Sequence, residues 1–238
     1  MRALRYATRF QQLVERHGDE WQRIAGGQLL AVSLHCFGEH EQARERLEHA
    51  LAQLAALRYE MPDAGHFAVD PLIFSNGTLA RIAWLQGFPD QAMVQVETTV
   101  NPVRADTLEP SLSQVLAVVA VPLALMSGDL QAAARYLEVL RSQVALYGFE
   151  IWHECCESLA AQLDIFSGRT AQGLARLEVA LDALLARGFR RLLTPAIVVC
   201  AETLAVTGRT VDATARLDEA LKYCNAHGEH YSCLKYGV

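Results

Sequence analysis

A glycine returns along this chain about every forty residues, each time in the same surroundings. Gly38, Gly87, Gly128, Gly168 and Gly208 each close an apolar run and open a charged, amphipathic one. The intervals are 49, 41, 40 and 40 residues. Five positions after each glycine stands a small residue: Ala43, Ala92, Ala133, Gly173 and Ala213. Nine after it stands an aliphatic one: Leu47, Val96, Leu137, Leu177 and Leu217. Seven before it the residue is again small or β-branched: Ala31, Ala80, Val121, Ala161 and Ala201. Self-similarity at a fixed period is the mark of a repeat architecture, in which each unit buries its apolar face only against its neighbours.

Each unit reads as two helices around its glycine, an apolar helix A and an amphipathic helix B. In the first helix B, Ala43, Leu47, Ala50, Leu51 and Leu54 recur at helical spacing, with Glu41, Arg44, Glu45, Arg46 and Glu48 on the other faces. The glycine supplies a left-handed helix C-cap, and the small residue five positions later lets the two helices approach closely. The fold predicted is all-α: a superhelix of antiparallel helical hairpins spanning residues 1–238 as one solenoid domain. A half-repeat covers 1–19, hairpins cover 20–58, 71–104, 109–147, 150–187 and 190–227, and a truncated helix covers 229–238. Asp70-Pro71 predicts a helix start, with Asp as N-cap and Pro at the first helical position. Pro122, inside an apolar helical pattern, predicts a kink or break. The connector 59–69 is longer than the other turns and predicts a surface loop, with contact to a ligand or partner as the alternative. The leading helix places Leu4, Ala7, Phe10, Leu13 and Val14 on one face, and neither end carries the polar cap of a solenoid. The expectation is a piece of a larger protein, or ends buried in an oligomer.

Bulk properties exclude several classes. No apolar run approaches the eighteen or so residues of a membrane span, and the first ten residues carry three arginines without an apolar signal core. A net charge of −6 and the lack of a Lys/Arg stripe argue against direct nucleic-acid binding. Four of the six cysteines fall within apolar helical runs, and nothing resembles a disulfide framework. A cytoplasmic chain is expected, with no membrane partner.

The glycine turn, the small residues of helix A and the alanines near the end of helix B resemble tetratricopeptide repeats, lengthened from about 34 residues. More specifically, Leu79-Ala80-Arg81-Ile82-Ala83-Trp84-Leu85-Gln86-Gly87-Phe88-Pro89-Asp90-Gln91-Ala92-Met93 resembles a segment of one bacterial family. Its members are large cytoplasmic signalling and transcriptional regulators. They join an N-terminal winged-helix or nucleotide-cyclase module and a central P-loop ATPase to a C-terminal TPR-like region. The resemblance continues through Val121-Pro122-Leu123-Ala124-Leu125-Met126-Ser127-Gly128-Asp129-Leu130, Ala201-Glu202-Thr203-Leu204-Ala205 and Asp218-Glu219-Ala220-Leu221. It covers the chain from about residue 20 onward. The chain departs from the family in having no G-x-x-x-x-G-K-[ST] phosphate loop and no winged-helix stretch, so neither ATP hydrolysis nor DNA binding follows from it. What the resemblance implies is a non-catalytic regional role: contact with another protein or with the rest of the parent chain, self-association as a homodimer, or sensing of a small-molecule inducer.

Helix A residues line the concave side of such a superhelix. With the turn glycine as a ruler, the position six before it should face inward: Val32, Arg81, Pro122, Gln162 and Glu202. Three of these are polar in otherwise apolar helices. Neighbouring positions add Gln28, His35, Phe74, Trp84, Cys155 and Phe166. The groove set is therefore Gln28, His35, Arg81, Trp84, Gln162 and Glu202, suited to a small polar ligand or a peptide, or else Arg81 and Glu202 serve only to solvate the groove or to pair with neighbouring helices. Cys224, His227, His230 and Cys233 form a C-x-x-H-x-x-H-x-x-C run of zinc-ligand types. They straddle a helix end, so an ordinary terminal turn is the reading preferred and no metal is expected. His153 with Cys155 or Cys156 could make a nucleophile pair, but no orienting carboxylate or oxyanion hole accompanies it. No catalytic residue and no cofactor is assigned. Trp21, Trp84 and Trp152 read as packing residues.

Overall fold

The computed structural model describes residues 2–57, 70–101, 110–147, 150–188 and 192–227. The described residues are overwhelmingly helical. Helix α1 spans Arg2–His17, α2 Glu20–Phe37, α3 His40–Ala56, α4 Pro71–Leu85 and α5 Pro89–Val100. Helix α6 (Pro110–Val115) runs through a π-helical turn (Leu116–Ala120) into α7 (Val121–Ser127). Then come α8 (Leu130–Tyr147), α9 (Glu150–Phe166), α10 (Thr170–Ala186), α11 (Leu193–Val206) and α12 (Thr210–His227).

The turn glycines take the conformation the repeat predicts. At Gly168 φ is +86°, and an added Cβ would meet nothing within 4 Å, so backbone conformation rather than space demands glycine there. Its N–H donates to the Ile165 carbonyl, and the following Arg169 N–H donates to the Asp164 carbonyl at 2.9 Å. The same pair of bonds closes the turns at Gly38, Gly87 and Gly208. These bonds satisfy carbonyls that a helix end leaves open. Some starts are capped by side chains as well. Asp70 accepts from the Leu72 and Ile73 N–H groups ahead of Pro71, and Asp19 and Gln22 form a reciprocal capping box.

Small residues set how closely the paired helices pack. Ala43, Ala92, Ala133 and Ala213 are buried on the B side of the turns, and Ala31, Ala80, Val121, Ala161 and Ala201 on the A side. Gly173 shows the limit: a Cβ there would lie 2.8 Å from the Ala161 carbonyl oxygen and 2.8 Å from the Ile165 nitrogen. Each first helix touches the next first helix, α2 with α4, α4 with α6, α7 with α9 and α9 with α11. The first helices thus form a continuous row, and α3, α5, α8, α10 and α12 pack onto it as second helices. Helix α1 packs on α2 as a second helix preceding the first hairpin.

Pro122 does not break its helix; the chain accommodates it by widening. The Val121 N–H reaches back five residues to the Leu116 carbonyl, the bonding of a π-turn. Pro122 has no N–H to give the Val118 carbonyl four residues earlier. The Arg81 Nη1 of α4 donates to that carbonyl instead, in a long contact of 3.4 Å.

One apolar cluster runs without a break from Ile73 in α4 to Ala220 in α12. Two smaller clusters lie under α1–α3 and, among the described residues, take in Ile82, Leu79 and Leu72 of α4.

Candidate functional site

Four of the five positions marked by the glycine ruler meet in one concavity. Arg81 comes from α4, Pro122 from α7, Gln162 from α9 and Glu202 from α11. The space is about 270 Å³, floored by Leu123, Met126, Leu159, Pro195 and Val199, with the half-exposed Phe166 on its rim. The π-turn helps to shape it, since Val118 and Pro122 both face the space. Arg81 brings a cationic fork to one end and Glu202 a carboxylate to the other. Gln162 lies between them, its amide donating to the Ser158 carbonyl at 3.3 Å. An apolar floor with a few convergent polar groups is the usual make-up of a ligand site.

The rest of the predicted groove set lies elsewhere. Gln28 is buried, and its amide donates to the Pro71 carbonyl at 2.9 Å and to the Ser75 Oγ at 2.8 Å. It joins α2 to α4 rather than facing a ligand. His35 is also buried, its Nδ1 lying 3.2 Å from Nδ1 of His40 across the first glycine turn. Burial lowers the His40 pKa, Glu39 opposes that and Arg81 adds to it. His35 and Arg81 together edge a narrow crevice beside the concavity. Trp84 is half-buried and packs against the main apolar cluster.

Sequence reasoning passed over the apolar floor. Its signal was nevertheless there: Leu159 and Val199 stand nine before their glycines, and Met126 stands two before its own, the offset that Phe166 also occupies. Positions nine, six and two before the glycine are spaced three and four apart and share one helix face. A charged knot at the fourth turn was passed over too. Asp164 stands four before Gly168, where the other units have Leu34, Ala83, Ala124 and Leu204. Its carboxylate accepts from the Arg169 Nη2 at 2.7 Å and the Arg176 Nη1 at 2.6 Å, and Arg176 also reaches Glu157 at 2.8 Å. Burial alone would raise the Asp164 pKa, but the hydrogen bonds from Arg169 and Arg176 hold it below the ordinary carboxylate value.

Burial pushes the Cys155 and Cys156 thiols up to about 12, so both are protonated at neutral pH and poor nucleophiles. His153, on the same helix, is exposed. The Cys224 to Cys233 run and the connector 59–69 lie outside the residues and side chains described.

No protein-family model and no curated protein matches the chain. Solved structures do. BtubC (BKLC) from P. vanneervenii superposes with a TM-score of 0.61 at 15% identity, covering 95% of this chain and 91% of that one. Kinesin-light-chain-like TPR repeats from Podosopora anserina superpose with a TM-score of 0.53 at 18% identity, covering 84% of this chain and 94% of that one. A point variant of the same repeats gives 0.53 at 17% identity over 87% and 96%. At these identities the likeness is one of fold. The chain is an all-α, TPR-like helical-repeat structure.

Proposed function

We propose that this chain is a non-catalytic binding and regulatory module of a bacterial signalling or transcription regulator. It holds a partner segment or an inducer in the concavity between α4 and α11. The observation that carries this reading is the convergence of Arg81, Gln162 and Glu202, from three separate repeats, over one apolar floor. The regulator context rests on the sequence resemblance and on nothing else. A cytoplasmic location goes with it; among the described residues no helix is long and apolar enough to cross a membrane. Native mass spectrometry of the full chain from its own host tests the reading. A molecule retained by the native chain, released on denaturation and lost in the Arg81→Ala/Glu202→Ala variant, supports it. A native chain of bare mass, with no partner whose affinity that variant lowers, overturns it.

One observation favours self-association as a second reading. Tyr6, Phe10 and Leu13 stand exposed along one stripe of α1 at helical spacing, an apolar face of the kind that marks an interface. A mass that rises with concentration in the parent and not in Phe10→Glu supports a homodimer through α1.

A further inference from the structure

A second concavity, roomier at about 440 Å³, lies at the α1–α3 end of the array, apart from the α4–α11 concavity. It opens between α1, α2 and α3, and none of the predicted groove residues lines it. Its floor is Gly27, in the interior of α2. Gly27 and its neighbour Gly26 differ in a telling way. A Cβ on Gly26 would collide with Gln11 and Val14 of α1, so close packing accounts for that glycine. A Cβ on Gly27 would meet nothing within 4 Å. Glycine in a helix interior is unfavourable, and neither packing nor a left-handed backbone accounts for it at Gly27. What its bare backbone does is deepen this space.

The walls are charged in both senses. Arg23 and Arg46 bring guanidinium groups, Glu15 and Glu45 carboxylates, and His49 an imidazole. Among the described residues neither arginine has an ion-pair partner, and Glu45 has none either. Glu15 accepts only from the neutral Gln11 amide, at 2.9 Å. Both signs of charge therefore face the same space without neutralising each other, which complements a molecule carrying both signs itself.

We propose that this concavity binds a small zwitterion of the amino-acid class. Its carboxylate is taken by Arg23 and Arg46, where a guanidinium fork fits two oxygens, and its ammonium by Glu45 or Glu15. The proposal is independent of the reading for the α4–α11 concavity. The test is an amide NMR titration of the full chain with a mixture of the standard amino acids, then with the same mixture N-acetylated. Saturable, millimolar shifts confined to α1–α3 are expected. N-acetylation, which removes the ammonium, should weaken them at least tenfold. Arg46→Gln should do the same, Gly27→Leu should abolish them by filling the floor, and Arg81→Ala should leave them unchanged. Thermal melting reports whether each variant is folded, and Arg46→Gln alone decides the matter if Gly27→Leu is not. No shift in α1–α3 with the free amino acids overturns the proposal, as does equal binding of the acetylated mixture or undiminished binding by Arg46→Gln.

Discussion

Helices α1–α3 and α4–α12 share one repeat but hold their cores together differently. From α4 onward a single apolar cluster passes from hairpin to hairpin. At the other end two small clusters lie apart, Ile24, Ala50 and Leu54 in one and Leu30, Ala31 and Leu47 among the other. Leu72, Leu79 and Ile82 of α4 reach these clusters, and a polar layer lies among those contacts. Helix α2 carries Gly26-Gly27-Gln28 midway along, and α4 carries Ser75-Asn76-Gly77. Gln28 bridges this layer by hydrogen bonds to Pro71 and Ser75. Hydrogen bonds add little net stability but cost much when half broken, whereas a continuous apolar core couples each unit to the next. In an array stabilised by neighbour interfaces, the α1–α3 end should therefore open as a unit of its own.

The largest test compares one substitution in the two regions. Leu177 is fully buried in α10, in the continuous cluster, and Leu47 is fully buried in α3. Leu→Ala should cost about 3 kcal/mol at either site. In Leu177→Ala the whole urea transition should move to lower denaturant. In Leu47→Ala, hydrogen exchange should quicken across α1–α3 and stay slow in α9–α11. Equal quickening throughout the chain would show that the polar layer is no boundary.

Next in size is the close approach at Gly173. The methyl of Gly173→Ala must displace α9 backbone atoms as well as the Ile165 side chain, at about 2 kcal/mol. Gly27→Ala in α2 meets only open space and should add up to about 1 kcal/mol of stability through helix propensity. Opposite signs for the same change, read from denaturant midpoints, separate a glycine required by packing from one that is not. Between these in the ordering stands Gln28→Ala, at about 1.5 kcal/mol, because it takes the partner from the buried Ser75 hydroxyl. Faster exchange in α2 and α3 with α9–α11 unchanged would assign that loss to the junction.

The contrast also shows which parts of the structure could be read from the chain. The turn glycines, the small residues around them and the Asp70-Pro71 start each act through local backbone chemistry, so their residue types announce them. The inward set was legible for Arg81, Gln162 and Glu202, where a polar residue breaks an apolar helix at a fixed offset. It was misleading for Gln28, which breaks the pattern in the same way but spends its amide on α4. Sequence shows that a buried polar group needs a partner; it does not show whether the partner is a ligand or the next helix. Pro122 announced a disturbance, but its outcome, a π-turn with the Arg81 guanidinium at the Val118 carbonyl, depends on a neighbour 37 residues away in sequence.

Asp164 sharpens the comparison with the smallest effect. It sits in the continuous region, yet it does for the fourth turn what apolar residues do for the other turns. It closes the junction of α9 and α10 by ion pairs with Arg169 and Arg176. Both arginines keep substantial solvent exposure, so Asp164→Asn should cost only about 1 kcal/mol. Its signature lies in pH. The folded-state pKa is below the unfolded value of 3.8, so between the two the unfolded chain binds more protons. The stabilisation is therefore complete above the unfolded value and disappears as pH falls through the folded one. The parent should outlast Asp164→Asn at pH 7, and the two should converge in stability as pH drops below 3.8, measured by urea midpoints at each pH. A constant gap across that range would mean that Asp164 acts through shape rather than charge. The fourth turn would then differ from the others only in the residue that fills it.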